Sequence, residues 1–328
     1  MHKSLDSLTA TPPITGNPMR KPAFFRAAMA KLLCAVLVSA ALSGCSAIKL
    51  AYNNLPELGY WWLDGYVDFS GAQTPQVRDQ LAQLLERHRR NELPKLLALV
   101  EKAERLAPED VTGGQVCTFS DEIRTRVLAV ALDASQPGAE LAATLSAPQL
   151  QYLQAKYAKV NAEYADDWLD RSLEQQHKKR YDTFLDRSED FYGTLDSGQR
   201  TLLRELVDKS IFDPRLVDAE RRQRQQEFLG LLRRTGSGKA PVREIRAALD
   251  AYSKRIAEPP PGAWKDYQHA LLQESCNNIA TLHKVTRPDQ RERAVRRLQS
   301  YAQDVRDLIA KPLPARATTA QDPNAAVR

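Results

Sequence analysis

Gln149 to Tyr192 runs without a glycine or a proline. These are the two residues that most often interrupt helices, because glycine costs backbone entropy and proline lacks the N–H the ladder needs. Within the run, Leu150, Leu153, Tyr157, Val160, Tyr164 and Trp168 recur at intervals of three and four. That spacing lines one face of a helix. Leu173, Tyr181, Phe184, Leu185 and Phe191 extend the stripe less regularly. Read as one element, the stretch near 148–191 is a helix of roughly 65 Å at 1.5 Å per residue. A bend is expected in the polar stretch Glu174 to Arg180.

The rest of the chain follows the same idiom. Alternating Val-, Ile- and Thr-rich runs, the mark of strands, are absent. Turn residues are few and sharply placed: Gly113-Gly114, Ser135-Gln-Pro-Gly138, Thr235-Gly-Ser-Gly238 and Pro259-Pro260-Pro261. Thr74-Pro75, Asp213-Pro214 and Thr286-Arg-Pro288 look like helix starts, and Pro94 breaks or kinks the element after Val77, Leu81, Leu84 and Leu85. Ser146-x-x-Gln149 and Asp196-x-x-Gln199 have the capping-box form, which satisfies two orphan N–H groups at a helix start. The expectation is an all-α, multi-helix bundle of roughly eight to ten helices.

The N-terminal segment has a different character. Arg20, Lys21, Arg26 and Lys31 lead into the apolar run Leu32 to Leu42, and Ser43 and Gly44 then precede Cys45. That is the layout of a secretory signal, and the run falls short of the ~20 apolar residues that span a bilayer. Residues 1–18 fit no targeting pattern, and read as an extension or a misassigned start upstream of Met19. Leu42-Ser43-Gly44-Cys45 resembles the lipobox of bacterial lipoproteins. The resemblance implies cleavage between Gly44 and Cys45, a diacylglyceryl group on the Cys45 thiol and an acylated amino group. It makes the partner of the N-terminus a membrane. Ser46 in place of an aspartate resembles sorting to the inner leaflet of the outer membrane, facing the periplasm; the inner membrane is the alternative.

Removing residues 1–44 changes the composition. Of 47 Lys/Arg and 41 Asp/Glu, the leader holds five and one, which leaves 42 and 40. A nucleic-acid partner, which needs a clustered positive surface, loses its support. Two cysteines remain besides Cys45, namely Cys117 and Cys276. An oxidising periplasm permits a disulfide between them; two separate buried thiols are the alternative. The expected organisation is a signal at 1–44, a lipid anchor and aromatic tether at 45–70, a helical domain at 71–310 and a disordered tail at 311–328. The tail is too poor in large apolar residues to fold.

Few residues carry chemistry. His88 and Glu92 lie one helical turn apart, beside Arg89. With Asp64 they are the only candidates for proton transfer, and a charge-paired helix end before Pro94 is the plainer reading. They lack the rest of a zinc motif, so no metal and no cofactor is expected. Gly236-Ser-Gly-Lys239 has neither the spacing nor the preceding strand of a phosphate loop, and reads as a helix–helix turn. Tyr60, Trp61, Trp62, Tyr66 and Phe69 suit either a membrane interface or a helical core.

Taken together, Cys45, Leu50-Ala-Tyr52-Asn53-Asn54-Leu55, Trp62-Leu63-Asp64-x-Tyr66, Gln73 and His88-Arg89-x-x-Glu92-Leu93-Pro94 resemble a family of uncharacterised proteobacterial lipoproteins. The resemblance implies location and an all-helical build, with no reaction attached. The expected function is a lipid-anchored envelope protein with a helical binding or scaffold domain. Its partner would be an envelope protein or peptidoglycan. A periplasmic chaperone, suggested by the Ser146 and Asp196 helix starts with Leu145 and Leu195 before them, and a hydrolase using His88 and Glu92 are the alternatives.

Overall fold

A computed structural model describes residues 44–236 and 238–310, with side chains from Ile48 onward. The signal segment before Gly44, the Cys45 thiol and residues 311–328 lie outside the described residues. The described residues from Ile48 onward form one compact unit.

Every regular element among the described residues is helical. In chain order they are α1 (Gly44–Asn53), α2 (Leu55–Val67), α3 (Gln73–Asn91), α4 (Leu93–Leu106), α5 (Gly113–Asp133), α6 (Ser135–Thr144) and α7 (Ala147–Tyr164). A π-helical turn, Ala165–Leu169, follows. Then come α8 (Leu173–Tyr192), α9 (Ser197–Asp208), α10 (Pro214–Thr235), α11 (Val242–Ala257), α12 (Ala263–Lys284) and α13 (Pro288–Ala310).

Two expectations need correction. There are thirteen α-helices among the described residues, against eight to ten expected. The single long helix near 148–191 does not exist. α7 ends in the π turn, and α8 starts afresh at Leu173, ahead of the polar stretch where a bend was expected. The cause is local. Ser172 accepts from the Gln175 N–H while Gln175 Oε1 accepts from the Ser172 N–H, a complete capping box. Gln176 Nε2 donates to the carbonyls of Trp168 and Arg171, which satisfies the end of the preceding turn.

The thirteen helices contain one plan twice. In α2–α7 the first helix packs on the second and the sixth, and α8–α13 repeats this with α8 on α9 and α13. In each set, the second and sixth helices meet at their N-termini through a pair of glutamines. Gln149 Nε2 donates to Gln73 Oε1 at 2.7 Å and to the Asp68 carbonyl at 3.0 Å, while Gln73 Nε2 reaches Thr144 Oγ1. In the second set, Gln199 Nε2 donates to Gln290 Oε1 at 2.7 Å and Gln290 Nε2 returns to Gln199 Oε1 at 3.0 Å. Gln149 and Gln199 also close capping boxes with Ser146 and Asp196, while Gln73 and Gln290 accept the Ser70 and Arg287 N–H groups. Each amide thus satisfies a helix start and a neighbouring helix together.

Gln199 and Gln290 are both buried. Leaving one without its partner exposes a buried amide to the full desolvation cost, about 1–3 kcal/mol. Gln199→Leu and Gln290→Leu are each expected to destabilise by that amount. The double variant should lose less than the sum, as a double-mutant cycle in urea will show. Strict additivity would mean that the two amides do not interact.

The apolar core lies mainly in the first set and the helices that cover it. Ala139 and Ala142 on α6 let Ile245 of α11 approach closely, with Leu150 and Leu153 of α7 and Leu229, Leu231 and Leu232 of α10 around them. A smaller cluster joins Tyr60, Phe69 and Val77. The segment after Cys45 therefore packs on the body through Tyr60 and Phe69, while Trp61 and Trp62 stay exposed. At Gly236 an added Cβ would sit 2.6 Å from the Leu232 carbonyl oxygen and 3.0 Å from that of Ala142. Glycine is needed there for the turn between α10 and α11.

Candidate functional site: an apolar cavity

The packing leaves a cavity of about 580 Å³ between the first set and α10 and α11. Its wall comes from seven helices, including Phe228 and Leu232 of α10. Trp62 and Tyr66 of α2, Leu84 of α3, Ala131 of α5, Leu141 of α6, Tyr157 of α7 and Tyr252 of α11 all face it. No charged side chain lines it among the described residues. The polar groups in the wall are mostly engaged elsewhere. Gln80 donates to Glu140, Ser135 bonds back to the Ala131 carbonyl, and the Tyr252 hydroxyl donates to the Arg224 carbonyl. Burial pushes the Tyr157 and Tyr252 hydroxyls up, so both stay neutral. Volume and lining match a small-molecule site of apolar type. Trp62 lines this space and is also 62% exposed, so the mouth opens beside α2.

A groove of about 820 Å³ beside Cys117 is wider but of opposite character. It is edged by Asp121, Arg124, Glu258 and Lys265, which pair as Arg124–Asp121 and Lys265–Glu258. That is the chemistry of a solvated surface.

The residues singled out for proton chemistry are placed as follows. The Tyr52 hydroxyl and His88 Nδ1 share a hydrogen bond of 2.8 Å. Burial pushes the His88 imidazole below its ordinary value, against the pull of Glu92 and Asp133. It also pushes the Tyr52 hydroxyl up to about 12. Arg89 is buried, donates to Asn53 Oδ1 at 2.7 Å, and sits over the Tyr52 ring. Glu92 is buried between Lys95 at 2.7 Å and Arg126 at 3.5 Å. His88 and Glu92 share a cleft of about 50 Å³ with Asp133. That is room for about one or two waters.

Asp64 stands outside this group. Its Oδ1 accepts the Phe69 N–H at 2.9 Å, beyond the left-handed Asp68 that ends α2, and so turns Phe69 into the core. The two stretches Tyr52-Asn53 and His88-Arg89 are therefore one structural clasp between α1 and α3. Lys49 adds a second, with Nζ 2.7 Å from Asp307 and 3.5 Å from the buried Asp304.

The remaining chemistry-bearing groups hold the fold. His283 is buried between the Tyr192 hydroxyl at 2.9 Å and the Glu109 carbonyl at 2.8 Å. A carbonyl only accepts, so Nε2 carries the proton and Nδ1 accepts from tyrosine. His177 meets Asp208 at 3.0 Å on the surface. Cys117 on α5 and Cys276 on α12 are bonded, with Sγ atoms 2.13 Å apart and Cα atoms 5.4 Å apart. No group of three or more His, Cys, Asp or Glu suited to a metal occurs among the described residues.

Fold and cavity thus define an all-helical protein with an apolar pocket that opens beside α2. The chain belongs to a family of unknown function, DUF6279, whose model matches residues 65–247. That span holds most of the cavity wall, His88, Glu92 and Cys117; Tyr52, Asp64 and Cys276 fall outside it. No curated protein and no solved structure matches the chain.

Proposed function

We propose that this protein is a bacterial envelope lipoprotein, anchored by acyl chains on Cys45 and facing the periplasm, whose helical body binds an apolar ligand. The observation that carries the binding activity is the cavity of about 580 Å³ with its uncharged, largely aromatic and aliphatic wall. The anchor reading rests on Leu42-Ser43-Gly44-Cys45 behind a basic, apolar leader, and the Cys117–Cys276 bond supports an oxidising compartment. Ser46 supports the outer membrane as destination. Among the described residues no helix is long and apolar enough to cross a membrane, so the proposed attachment is the lipid.

Binding is tested with N-phenyl-1-naphthylamine, a neutral apolar fluorophore. The protein is expected to take it up saturably, at about one molecule per chain, with a blue-shifted rise in emission. Ala131→Phe fills the cavity from α5 and is expected to weaken uptake about tenfold or more while the helical circular-dichroism signal is kept. Uptake that never saturates, or that is unchanged by the filling substitution, would refute the binding activity.

A further inference from the structure

α1 and α2 form a rod jointed at Asn54. The Asn54 N–H bonds to the Leu50 carbonyl at 3.2 Å, and the Leu58 N–H bonds to the Asn54 carbonyl at 3.0 Å, so each helix closes on Asn54 from its own side. At 3.6 residues per turn, Leu55, Leu58, Trp61 and Trp62 of α2 fall within an arc of about 120°, and Leu50 of α1 precedes them. All five are exposed, and the two tryptophans are each 62% accessible. Single exposed apolar residues are ordinary, but a run of four large ones on one face marks an interaction surface.

The charges of the rod lie off this arc or are paired. Lys49 is held by Asp307, Glu57 by Arg78 at 3.3 Å, and Asp64 caps the end of α2. The opposite face is fastened to the body through Tyr52–His88, Asn53–Arg89 and the buried Tyr60. The exposed arc is therefore fixed in place on the folded domain.

We infer that this arc, with Leu50 before it, is a bilayer-docking surface: Leu50, Leu55, Leu58, Trp61 and Trp62 insert at the headgroup boundary of the membrane that holds Cys45. The inference rests on the lipid-anchor reading and goes beyond it. Cys45 belongs to α1 and precedes Trp62 by seventeen residues, which reach at most about 60 Å even fully extended. A lipid on that cysteine keeps the arc within reach of one surface. An amphipathic helix lying in the interface buries its apolar face about 5–10 Å into the headgroup boundary, and tryptophan favours that depth. The mature protein then sits on the bilayer in one orientation, with the cavity mouth at Trp62 turned to the lipid.

The test uses the full chain, acylated and reconstituted in phosphatidylethanolamine and phosphatidylglycerol vesicles. Wild type is compared with Trp61→Phe/Trp62→Phe, whose difference isolates the two surface tryptophans from Trp168 and Trp264. Brominated phospholipids are expected to quench the difference emission by half or more. Iodide quenching of it should fall threefold or more relative to a soluble chain beginning at Ser46. Acylation proven by mass, with tryptophans still open to iodide and untouched by brominated lipid, overturns the docking surface and leaves the anchor standing. Absence of the acyl mass overturns both. Shielding in the soluble chain together with a doubled sedimentation mass assigns the arc to a second copy and overturns the inference.

Discussion

Cys45→Ala is expected to abolish palmitate labelling, leave the leader uncut and remove the protein from the purified outer-membrane fraction. The size of the effect follows from chain length. Each buried methylene contributes about 0.8 kcal/mol, one chain alone binds reversibly, and two or more make the attachment stable. Loss of the thiol removes the first lipid, and with it the substrate on which cleavage at Gly44 depends. Intact mass reads both events. The wild-type chain should begin at Cys45 and carry the diacylglyceryl mass with a further acyl group. A Cys45→Ala protein that is still cut and still sediments with membranes would refute the anchor.

Cys117→Ala/Cys276→Ala is expected to lower stability by up to about 5 kcal/mol. The bonded cysteines are 159 residues apart, and in the chain-entropy model a loop of that length restricts the unfolded chain by this amount. Total stabilities of about 5–15 kcal/mol make such a loss a large fraction of the whole. Both sulfurs are buried, so the bond also ties α5 to α12 within packed structure. Urea titration should show a lower midpoint for the double variant, and for wild type in reductant. Equal midpoints with and without reductant would show that the native protein does not rely on the bond.

Local signals in the sequence described much of the local structure, although Ser135-Gln-Pro-Gly138, read as a turn, is the first turn of α6. The all-helical build, the starts at Ser146 and Asp196 and the turn at Gly236 all rest on propensity and capping, which act over a few residues. The break before α8 was equally local, since Ser172-x-x-Gln175 has the same form. An apolar stripe running through both sides of the break masked it. Arrangements made across the chain were not legible. Gln199 finds Gln290, and Tyr52 finds His88, by tertiary contact with no period to announce it. The cavity was hidden for a related reason. Leu84, Leu141 and Tyr157 carry the same apolar pattern whether they fill a core or surround a space. Trp61 and Tyr60 are neighbours in sequence yet lie on opposite sides of the packing, one exposed and one buried.

The matched family segment ends at residue 247, inside α11. A fragment cut to those bounds would strand Cys117 without Cys276 and Gln199 without Gln290, and would remove α12 and α13, the latter packed along α4. The span from Ile48 to Ala310 keeps both of these pairs and both helices. The edges of a sequence signature here therefore cut across contacts that the fold makes.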